Sequence, residues 1–420
     1  MAAAGREPGL LLFRENANAM RLPYGRAFGD VIFSALASFC RGRSRLRRVC
    51  EVRPEDLLGR RPVDLACSGL REIPRGPVLV TGAGGSIGSE LCRHIARRQP
   101  AALIGVDQSE SALYEIDREL QTLHPHVRFY PEIGDIRDAR RVEEIFRDYA
   151  PRSVYHAAAY KHVPLMEAHL FEAVTNNVFG TRNVARAAAE SGVRDFVLIS
   201  SDKAVRPANV MGATKRLAEL VVLSLAGACR TRFVAVRFGN VLGSSGSVVR
   251  VFQEQIARGG PVTVTHPEMR RFFMTTPEAA QLVLEAGAMG RQGEIFVLEM
   301  GEPVRIVDLA RKMIVLSGFK PGRDVEIEFI GIRPGEKLFE ELSAYEENTV
   351  PTPHPQIRVL AGAAVPASEF SRGLEALRSA IEARDAVSAI HCLEQLVPDY
   401  HPSDWLVRRA IDDRVECAYA

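Results

Sequence analysis

The sequence has no long apolar run and almost no excess of one charge. The longest apolar run near the start, VIFSALASFC at 31–40, is shorter than the roughly 20 residues that a membrane helix needs. Lys and Arg number 54 against 52 Asp and Glu, so a net charge of +2 provides no field for a nucleic acid. We therefore expect a cytoplasmic protein without a transmembrane segment or nucleic-acid partner, which binds any anion at a local site.

Cysteine is scarce and scattered. The seven cysteines are odd in number and include no CxxC pair, which argues against a disulfide framework and a zinc site. His156, His162 and His266 have no metal-ligand spacing either, so they are interpreted as structural residues or pocket edges. We expect a reducing compartment and no metal.

Residues 31–53 combine the short apolar run with RGRSRLRRVCEVR, in which six arginines face one glutamate. The basic residues follow the apolar stretch, which is the reverse of a secretion signal. A solvated extension is the favoured interpretation, and a weak contact with a membrane surface or a partner is the alternative.

From residue 77, short apolar runs alternate with segments of helical periodicity. The candidate strands are 78–82, 103–107, 127–133, 153–159, 196–201 and 233–239. The candidate helices between them are 86–98, 110–123, 138–150 and 209–225. Since parallel strands need helical crossovers, the pattern predicts an α/β fold with a Rossmann-like, doubly wound parallel sheet. Looser, turn-rich sequence after residue 240 predicts a smaller C-terminal substrate lobe.

A glycine-rich turn follows the first candidate strand. Gly82, Gly85 and Gly88 form GxxGxxG, which lets the backbone and the amides of a helix N-terminus approach a pyrophosphate. A tight strand-to-helix turn without a ligand is the alternative. Asp107 ends the next strand, where a carboxylate can accept ribose hydroxyls. Gln108 follows it in place of an arginine, so NAD is favoured over NADP.

Other positions extend the predicted cofactor site. Asp135, in GDIRD after the third strand, is placed to meet the adenine, although a helix N-cap is an alternative role. The alanines at 157–159 suit a wall close to the cofactor. The complete set of predicted cofactor residues is Gly82, Gly85, Ser86, Ile87, Gly88, Asp107, Asp135, Ile136, Ala157, Ala158 and Lys215.

Six longer motifs occur in order along the chain. They are GDIRD (134–138), HAAAYKHVPLME (156–167), NNVFGT (176–181), SSDKAVRPANVMGATKR (200–216), RFGNVLGSSGSV (237–248) and RPGEK (333–337). Together they resemble the CapD-type 4,6-dehydratases of UDP-N-acetylglucosamine, in the extended short-chain dehydrogenase/reductase superfamily. Residues 51–65 are similar to the linker that joins a membrane domain to the catalytic domain in long members, and we expect the linker here without that domain.

The sequence pattern and the resemblance together predict an organisation in five parts. They are an N-terminal extension (1–50), a linker (51–76), an NAD-binding Rossmann domain (77–240), a UDP-sugar-binding lobe interleaved with it (241–360) and a C-terminal helical segment (361–420). The resemblance also implies a homo-oligomer, because helices near 163–190 and 209–226 are similar to the pairing surface of the family.

The resemblance further implies a reaction. NAD oxidises C4 of the sugar, water is lost across C5 and C6, and the hydride returns to C6. A C4 ketone makes the C5 proton acidic enough for a side-chain base. Family precedent makes Lys203, which must then be neutral, the base and Asp202 the acid, although the sequence alone does not distinguish these roles. A surface ion pair in a loop is the alternative.

Met211 stands where most of the superfamily has a tyrosine, four residues before Lys215. Lys215 is expected to hold the nicotinamide ribose. A thioether cannot take a proton, so the C4 hydroxyl proton is left to Asp202 or to a water held by Ser201. Methionine here matches a branch that resembles C5-retaining enzymes, so retention at C5 is expected. Core packing is the alternative role of this methionine.

The second lobe is expected to bind UDP. Asn240 and the amides before a helix at Ser247 suit a diphosphate. Arg271 and Arg333 are candidates for phosphate contacts and Glu336 for the ribose hydroxyls, with ordinary surface charge as the alternative. The predicted substrate residues are Lys161, His162, Asn240, Ser247, Arg271, Arg333 and Glu336.

Two other functions stay open from the sequence. A nucleotide-sugar 4-epimerase would need the tyrosine that Met211 replaces and would not use Asp202 with Lys203. A catalytically inactive NAD-binding sensor or scaffold is compatible with Met211, but it would have no use for the RPGEK segment.

Overall fold

A large parallel sheet forms the centre of the protein. The computed structural model describes residues 54–58, 60, 76–343, 348–360 and 367–419. The strands of its first half are β1 (Pro77–Thr81), β2 (Ala102–Asp107), β3 (Phe129–Ile133), β4 (Ser153–His156), β5 (Asp195–Ile199) and β6 (Arg232–Arg237). They are parallel and lie in the order β3-β2-β1-β4-β5-β6. This order is that of a doubly wound sheet, so the predicted fold class is confirmed.

Three strands from the second half of the chain extend this sheet to nine strands within the described residues. They are β11 (Glu294–Leu298), β14 (Thr349–Pro351) and β15 (Ile357–Leu360). β11 is parallel to β6, and β15 and β14 follow in antiparallel pairing. The second half of the chain therefore contributes both to the sheet and to a separate lobe.

Helices cover both faces of the sheet. They are α2 (Ser86–Ala96), α3 (Glu110–Leu123), α4 (Ala139–Tyr149), α5 (Val163–Ala168), α6 (Leu170–Val174), α7 (Thr181–Glu190), α8 (Val210–Leu225) and α10 (Thr276–Met289). Neighbouring side chains of a strand point to opposite faces. Val78 of β1 accordingly packs with Leu91 of α2, whereas Leu79 packs with Val142 of α4 and Val184 of α7. The strands are apolar on both sides for this reason.

The second lobe is built from short elements. They are β7 (Asn240–Leu242), α9 (Val248–Ala257), β8 (Val262–Val264), β9 (Arg270–Arg271), β10 (Phe273–Thr275), β12 (Val304–Arg305), α11 (Ile306–Leu316) and β13 (Ile327–Phe329). The strands pair two by two, as β7 with β10, β8 with β13 and β9 with β12. Helix α1 (Pro54–Leu57) adds Leu57 to the core of this lobe, so part of the predicted linker is docked on it.

Three C-terminal helices pack against α6 and α8 of the first half of the chain. They are α12 (Ala367–Glu382), α13 (Ala386–Leu396) and α14 (Asp404–Tyr419). Leu377 and Leu393 lie in one apolar cluster with Leu170 of α6 and Leu217 of α8. The chain thus covers part of the helices that were expected to pair two subunits. The homo-oligomer itself stays a prediction.

Three strands of the first half end two or three residues earlier than the sequence predicts, whereas β2 and β3 end at Asp107 and Ile133 as predicted. Those predicted to reach residues 159, 201 and 239 end at His156, Ile199 and Arg237. Just beyond these ends, the Ala157 N–H donates to the Thr81 carbonyl and the Asp202 N–H donates to the Phe238 carbonyl. The extra residues lie outside the strands at the carboxyl edge of the sheet, the edge at which such folds bind ligands.

The basic segment at 31–53, for which a membrane-surface or partner contact was the alternative, lies outside the described residues. Within the ranges that are described, none of the helices combines the length and the hydropathy required to cross a bilayer.

We expect Leu377→Ala to lower the free energy of unfolding by about 2–5 kcal/mol, because it removes a buried side chain from the C-terminal helix cluster. Leu123→Ala, at an exposed position of α3, is the matched control and should change it by less than about 0.5 kcal/mol. Denaturant unfolding measures both values. Equal losses would contradict the packing described here.

Candidate active site

The glycine turn after β1 is in close contact with its surroundings. Gly82 has a φ of +67°, and a Cβ atom there would lie 2.7 Å from the Ala158 nitrogen. A Cβ atom at Gly88 would lie 1.9 Å from the Gly82 carbonyl oxygen. Gly85 occupies the N-cap position of α2, so no side chain covers the first amides of this helix. The turn therefore leaves these backbone amides open to an anion.

Asp107 holds this turn in place. Its Oδ2 atom accepts a hydrogen bond of 2.9 Å from the Gly84 N–H, and its Oδ1 atom accepts one of 2.9 Å from the Ser109 N–H. The carboxylate therefore lies at the end of β2 beside the glycine turn, where the sequence placed a ribose contact. Carboxylate oxygens have further lone pairs with which they can accept a hydrogen bond from a hydroxyl group.

Asp135 and Ile136 lie further along the same edge. Burial acts to raise the pKa of Asp135, but hydrogen bonds from Arg137 outweigh it and hold this pKa below its ordinary value. The alternative role of Asp135 as a helix cap is wrong, because Asp138 caps α4. Ile136 is buried against Gly180, where a Cβ atom would lie 2.7 Å from its Cδ1 atom.

A cavity of about 790 Å³ runs from the glycine turn to the second lobe, and we call it the site cavity. Its volume lies in the usual range for small-molecule sites. From the predicted residues it brings together Gly82, Gly85, Ser86, Ile87, Gly88, Ala157, Lys161, His162, Ser201, Lys203, Met211, Lys215, Asn240, Ser247, Arg271, Arg333 and Glu336. The predicted residues outside its lining are Asp107, Asp135, Ile136, Ala158 and Asp202.

Asp202 and Lys203 form a buried ion pair beside this cavity. Ser201 caps a short 3-10 turn, Asp202–Ala204, by accepting a hydrogen bond from the Lys203 N–H. The Asp202 Oδ1 atom accepts hydrogen bonds from Lys203 Nζ at 2.8 Å and from Ser201 Oγ at 2.9 Å. Asp202 has no solvent exposure, so Lys203 is the member of the pair that faces the cavity.

The surroundings of Lys203 differ from those that the sequence suggested. A C5 base must be a neutral amine, and burial and the nearby charge of Arg271 favour that form. Burial does act in this direction, but the charges of Asp202 and Glu340 outweigh it and raise the pKa of Lys203. The Nζ atom also donates to Asn240 Oδ1 at 3.2 Å. At rest these charges favour the ammonium form of Lys203, so the neutral amine that a C5 base requires must be produced by loss of a proton.

Glu340 is a member of the site that the sequence analysis missed. Its Oε1 atom lies 3.8 Å from Lys203 Nζ and 3.9 Å from Arg271 NH2. Burial raises the pKa of Glu340 above its ordinary value, although the neighbouring cations act against this. Glu341 stands next to it and pairs with Arg206 at the surface. The two adjacent glutamates are indistinguishable in sequence, and only their burial separates them.

Met211 and Lys215 lie one turn apart on α8 and both line the site cavity. The Lys215 Nζ atom donates a hydrogen bond of 2.5 Å to the Ile199 carbonyl. Burial lowers the pKa of Lys215 to about 8, and the charge of Glu219 only partly offsets this. Asn177 braces this region, because its side chain bonds to both backbone groups of Tyr160 and to Thr214. The NNVFGT motif contained this residue, but the sequence did not reveal its role.

The first turn of α8 is tied to two distant segments. Glu167 accepts a hydrogen bond of 2.9 Å from the Val210 N–H and one of 2.6 Å from Ser403 Oγ. Asn209 caps α8 through the Gly212 N–H and also donates to the carbonyl of Gly335, in the RPGEK motif. The helix that carries Met211 and Lys215 is therefore fixed by the second lobe and by the C-terminal segment.

A loop of the second lobe contacts the residue that follows Gly85 in the glycine turn. The Ser245 N–H donates a hydrogen bond of 3.0 Å to Ser86 Oγ. A Cβ atom at Gly246 would lie 2.5 Å from the Cε1 atom of His162, so this loop is packed against the predicted substrate residues. Ser247 occupies the N-cap position of α9, and its buried Oγ atom has no hydrogen-bond partner among the described residues. The N-terminus of α9 is thus also open to an anion.

The predicted phosphate and ribose contacts differ in exposure. Arg271 is buried and donates to the carbonyls of Arg270 and Lys337 at 2.7 and 2.8 Å. Arg333 is exposed and forms an ion pair of 2.6 Å with Glu336. The guanidinium of Arg271 is therefore fixed in place, whereas Arg333 and Glu336 pair with each other at the rim of the site cavity.

The chain matches known protein sequences over most of its length. The family model described as polysaccharide biosynthesis protein matches residues 78–361. The chain is 56% identical over 297 residues to the probable polysaccharide biosynthesis protein EpsC of Bacillus subtilis, covering 70% of this chain and 50% of EpsC. It is 55% identical over 304 residues to the capsular polysaccharide biosynthesis protein CapD of Staphylococcus aureus, covering 72% and 51%. It thus spans about half the length of these relatives.

Two solved structures are similar in fold. Pen from Bacillus thuringiensis aligns with a TM-score of 0.64 and 34% identity, covering 71% of this chain and 92% of Pen. DesIV from Streptomyces venezuelae, a dTDP-glucose 4,6-dehydratase solved with NAD bound, aligns with a TM-score of 0.56 and 23% identity, covering 64% and 88%. At that identity the likeness to DesIV concerns the fold alone.

We expect Gly88→Ala to lower the free energy of unfolding by about 1–3 kcal/mol, because its methyl group would overlap the Gly82 carbonyl and force α2 away from the turn. Gly85→Ala is the matched control, since its Cβ atom would lie 3.1 Å from the same oxygen. This variant should lower the free energy of unfolding by less than about 1 kcal/mol. Thermal unfolding measures both. A larger loss for Gly85→Ala would contradict this geometry.

Proposed function

The chain belongs to the polysaccharide biosynthesis protein family, and from this premise we propose that it is an NAD-dependent 4,6-dehydratase of UDP-N-acetylglucosamine. The observation that carries the proposal is the buried pair of Asp202 and Lys203 beside a cavity that also contains the glycine turn. A carboxyl group and an amine side by side can protonate a leaving hydroxyl and remove a neighbouring carbon-bound proton. The product would be a 4-keto-6-deoxy sugar nucleotide with its C5 configuration retained.

The glycine turn supports a dinucleotide as the cofactor. Gly82 and Gly88 leave no room for a side chain, and the amides at the start of α2 are open. In the proposed complex these amides hold the pyrophosphate, Asp107 accepts the adenosine ribose hydroxyls and Lys215 contacts the nicotinamide ribose. The chemistry that NAD supplies is uptake of a hydride from C4 and its return to C6.

The second lobe supports a UDP-sugar as the substrate. We assign the diphosphate to the N-terminus of α9 at Ser247, with Asn240 and the buried Arg271 nearby. At the rim, Arg333 is assigned to a phosphate and Glu336 to the hydroxyls of the uridine ribose. Lys161 and His162 line the same cavity.

Met211 leaves the C4 hydroxyl proton without the usual tyrosine. We assign this proton to the Asp202 carboxylate, because the Ser201 hydroxyl is already donated to Asp202. Asp202 would then give the proton to the C6 hydroxyl, which leaves as water. Lys203 would remove the C5 proton and return it to the same face, which retains the configuration.

We expect the purified chain to convert UDP-N-acetylglucosamine into a product that is lighter by one water, as measured by mass spectrometry. Lys203→Ala should abolish exchange of the C5 proton with deuterated water while leaving NAD binding intact. Lys312→Ala, at an exposed position of α11, is the control and should behave as the wild type. Unchanged mass with a galacto product would indicate an epimerase, and NAD binding without turnover would favour a sensor.

We also expect NAD to bind more tightly than NADP by about tenfold or more, because the Asp107 carboxylate would repel a 2′-phosphate. Asp107→Ala should reduce this preference, because it would weaken the binding of NAD and strengthen the binding of NADP. Glu115→Ala, at an exposed position of α3, is the control. Titrations that follow the fluorescence of NADH and NADPH measure both affinities for each of the three proteins, and an unchanged ratio in Asp107→Ala would refute the assigned ribose contact.

A further inference from the structure

Lys203 cannot accept a proton while it is an ammonium ion. Two carboxylates surround it, and they raise its pKa despite its burial. The proposed function, on which this inference rests, requires the neutral amine at the moment when the C5 proton is removed. A group within reach of Nζ must therefore take one proton from Lys203 first. Asp202 is not available for this, because in the proposed reaction it receives the C4 hydroxyl proton.

We propose that Glu340 accepts this proton and so converts Lys203 into a base. Its Oε1 atom lies 3.8 Å from Lys203 Nζ, and the transfer needs these atoms to approach to about 2.8 Å. The Oε2 atom is buried without a hydrogen-bond partner among the described residues. Glu340 thus has an oxygen that no other described group uses. It acts through Lys203 and does not line the site cavity, so it is a positioning residue rather than a catalytic one.

The charges around Glu340 suit a proton acceptor. The groups that act on it are Lys203 and Asp202 of the 3-10 turn, Arg271 of β9 and Lys337 of the RPGEK motif. Burial raises the pKa of Glu340 despite the three cations among them. In a water-poor site, a neutral amine beside a neutral carboxylic acid costs less desolvation than the separated charges do.

The protons balance over one turnover. The C4 hydroxyl proton passes to Asp202 and leaves with the C6 hydroxyl as water. One proton of Lys203 passes to Glu340, after which the amine takes the C5 proton. When C6 has received its hydride, Lys203 returns the C5 proton and then regains its own proton from Glu340. The pair of Lys203 and Glu340 ends each cycle as it began.

A purely electrostatic role of Glu340 predicts the opposite result on mutation. As an anion near Nζ, Glu340 raises the pKa of Lys203. If charge were its only contribution, Glu340→Gln would lower that pKa, make more neutral amine available and shift the active range to lower pH. The direction in which Glu340→Gln shifts the active pH range therefore distinguishes a proton acceptor from a purely electrostatic group.

The test uses the full chain with NAD and UDP-N-acetylglucosamine. We expect Glu340→Gln to slow exchange of the C5 proton by about 100-fold or more at neutral pH, the usual effect of losing a general base. Hydride removal from C4, followed by absorbance of the reduced nicotinamide, should change only a few-fold. The exchange rate should recover as the pH rises, because hydroxide then deprotonates Lys203. Glu340→Asp, which keeps a carboxylate, should restore part of the rate at neutral pH.

Glu341→Gln is the matched control, because it removes the adjacent surface carboxylate. It should leave exchange and turnover unchanged. Exchange in Glu340→Gln as fast as in the wild type, or an optimum moved to lower pH, would overturn the inference. If Glu340→Gln did not fold, a Glu340→Asp variant with no more activity than Lys203→Ala would overturn it as well. A wild-type chain that forms no dehydrated product would instead refute the proposed function, and the inference with it.

Discussion

The ion pair between Asp202 and Lys203 is the interaction on which the rest of the site depends. Both groups are shielded from water, where removing one partner would leave a buried charge uncompensated. The neighbours that satisfy the pair come from distant parts of the chain. Asn240 follows β6, and Glu340 belongs to the segment after RPGEK. The packing of the second lobe against the first sheet therefore determines which groups surround this pair.

Backbone contacts fix the two ends of the cavity relative to this pair. At one end, Asp107 and the loop around Ser245 of the second lobe hold the glycine turn. At the other end, Glu167 and Asn209 hold the first turn of α8. Each of these polar side chains bonds to main-chain groups, which do not change rotamer. The backbone positions that carry the cavity-lining side chains are consequently fixed at both ends of the cavity.

The sheet and its crossover helices could be predicted from the sequence because they depend on local periodicity. Val78 and Leu79 face opposite layers, and such strands show as short apolar runs. Ser201, Lys203, Met211 and Lys215 could be placed at the carboxyl edge for the same reason. Their lining of one cavity follows from topology, but each of their predicted roles stays a prediction.

The groups that the sequence did not reveal interact with residues that are far away along the chain. Glu340 lies 137 positions from the lysine that it faces, and nothing in its neighbourhood separates it from Glu341. The charge state of Lys203 could not be predicted for the same reason, since it depends on which carboxylates fold against it. The β11 strand also escaped prediction, because turn-rich sequence surrounds it.

The hydrogen bond between Glu167 and Ser403 has a consequence for how the protein opens. Proteins fluctuate through cooperative local unfolding of whole segments as well as through global denaturation. A transient detachment of the last helices would free one oxygen of a buried carboxylate and loosen the first turn of α8. If the carboxyl-terminal segment and α8 open as one cooperative unit, the protection of their amides from hydrogen exchange would rise and fall together.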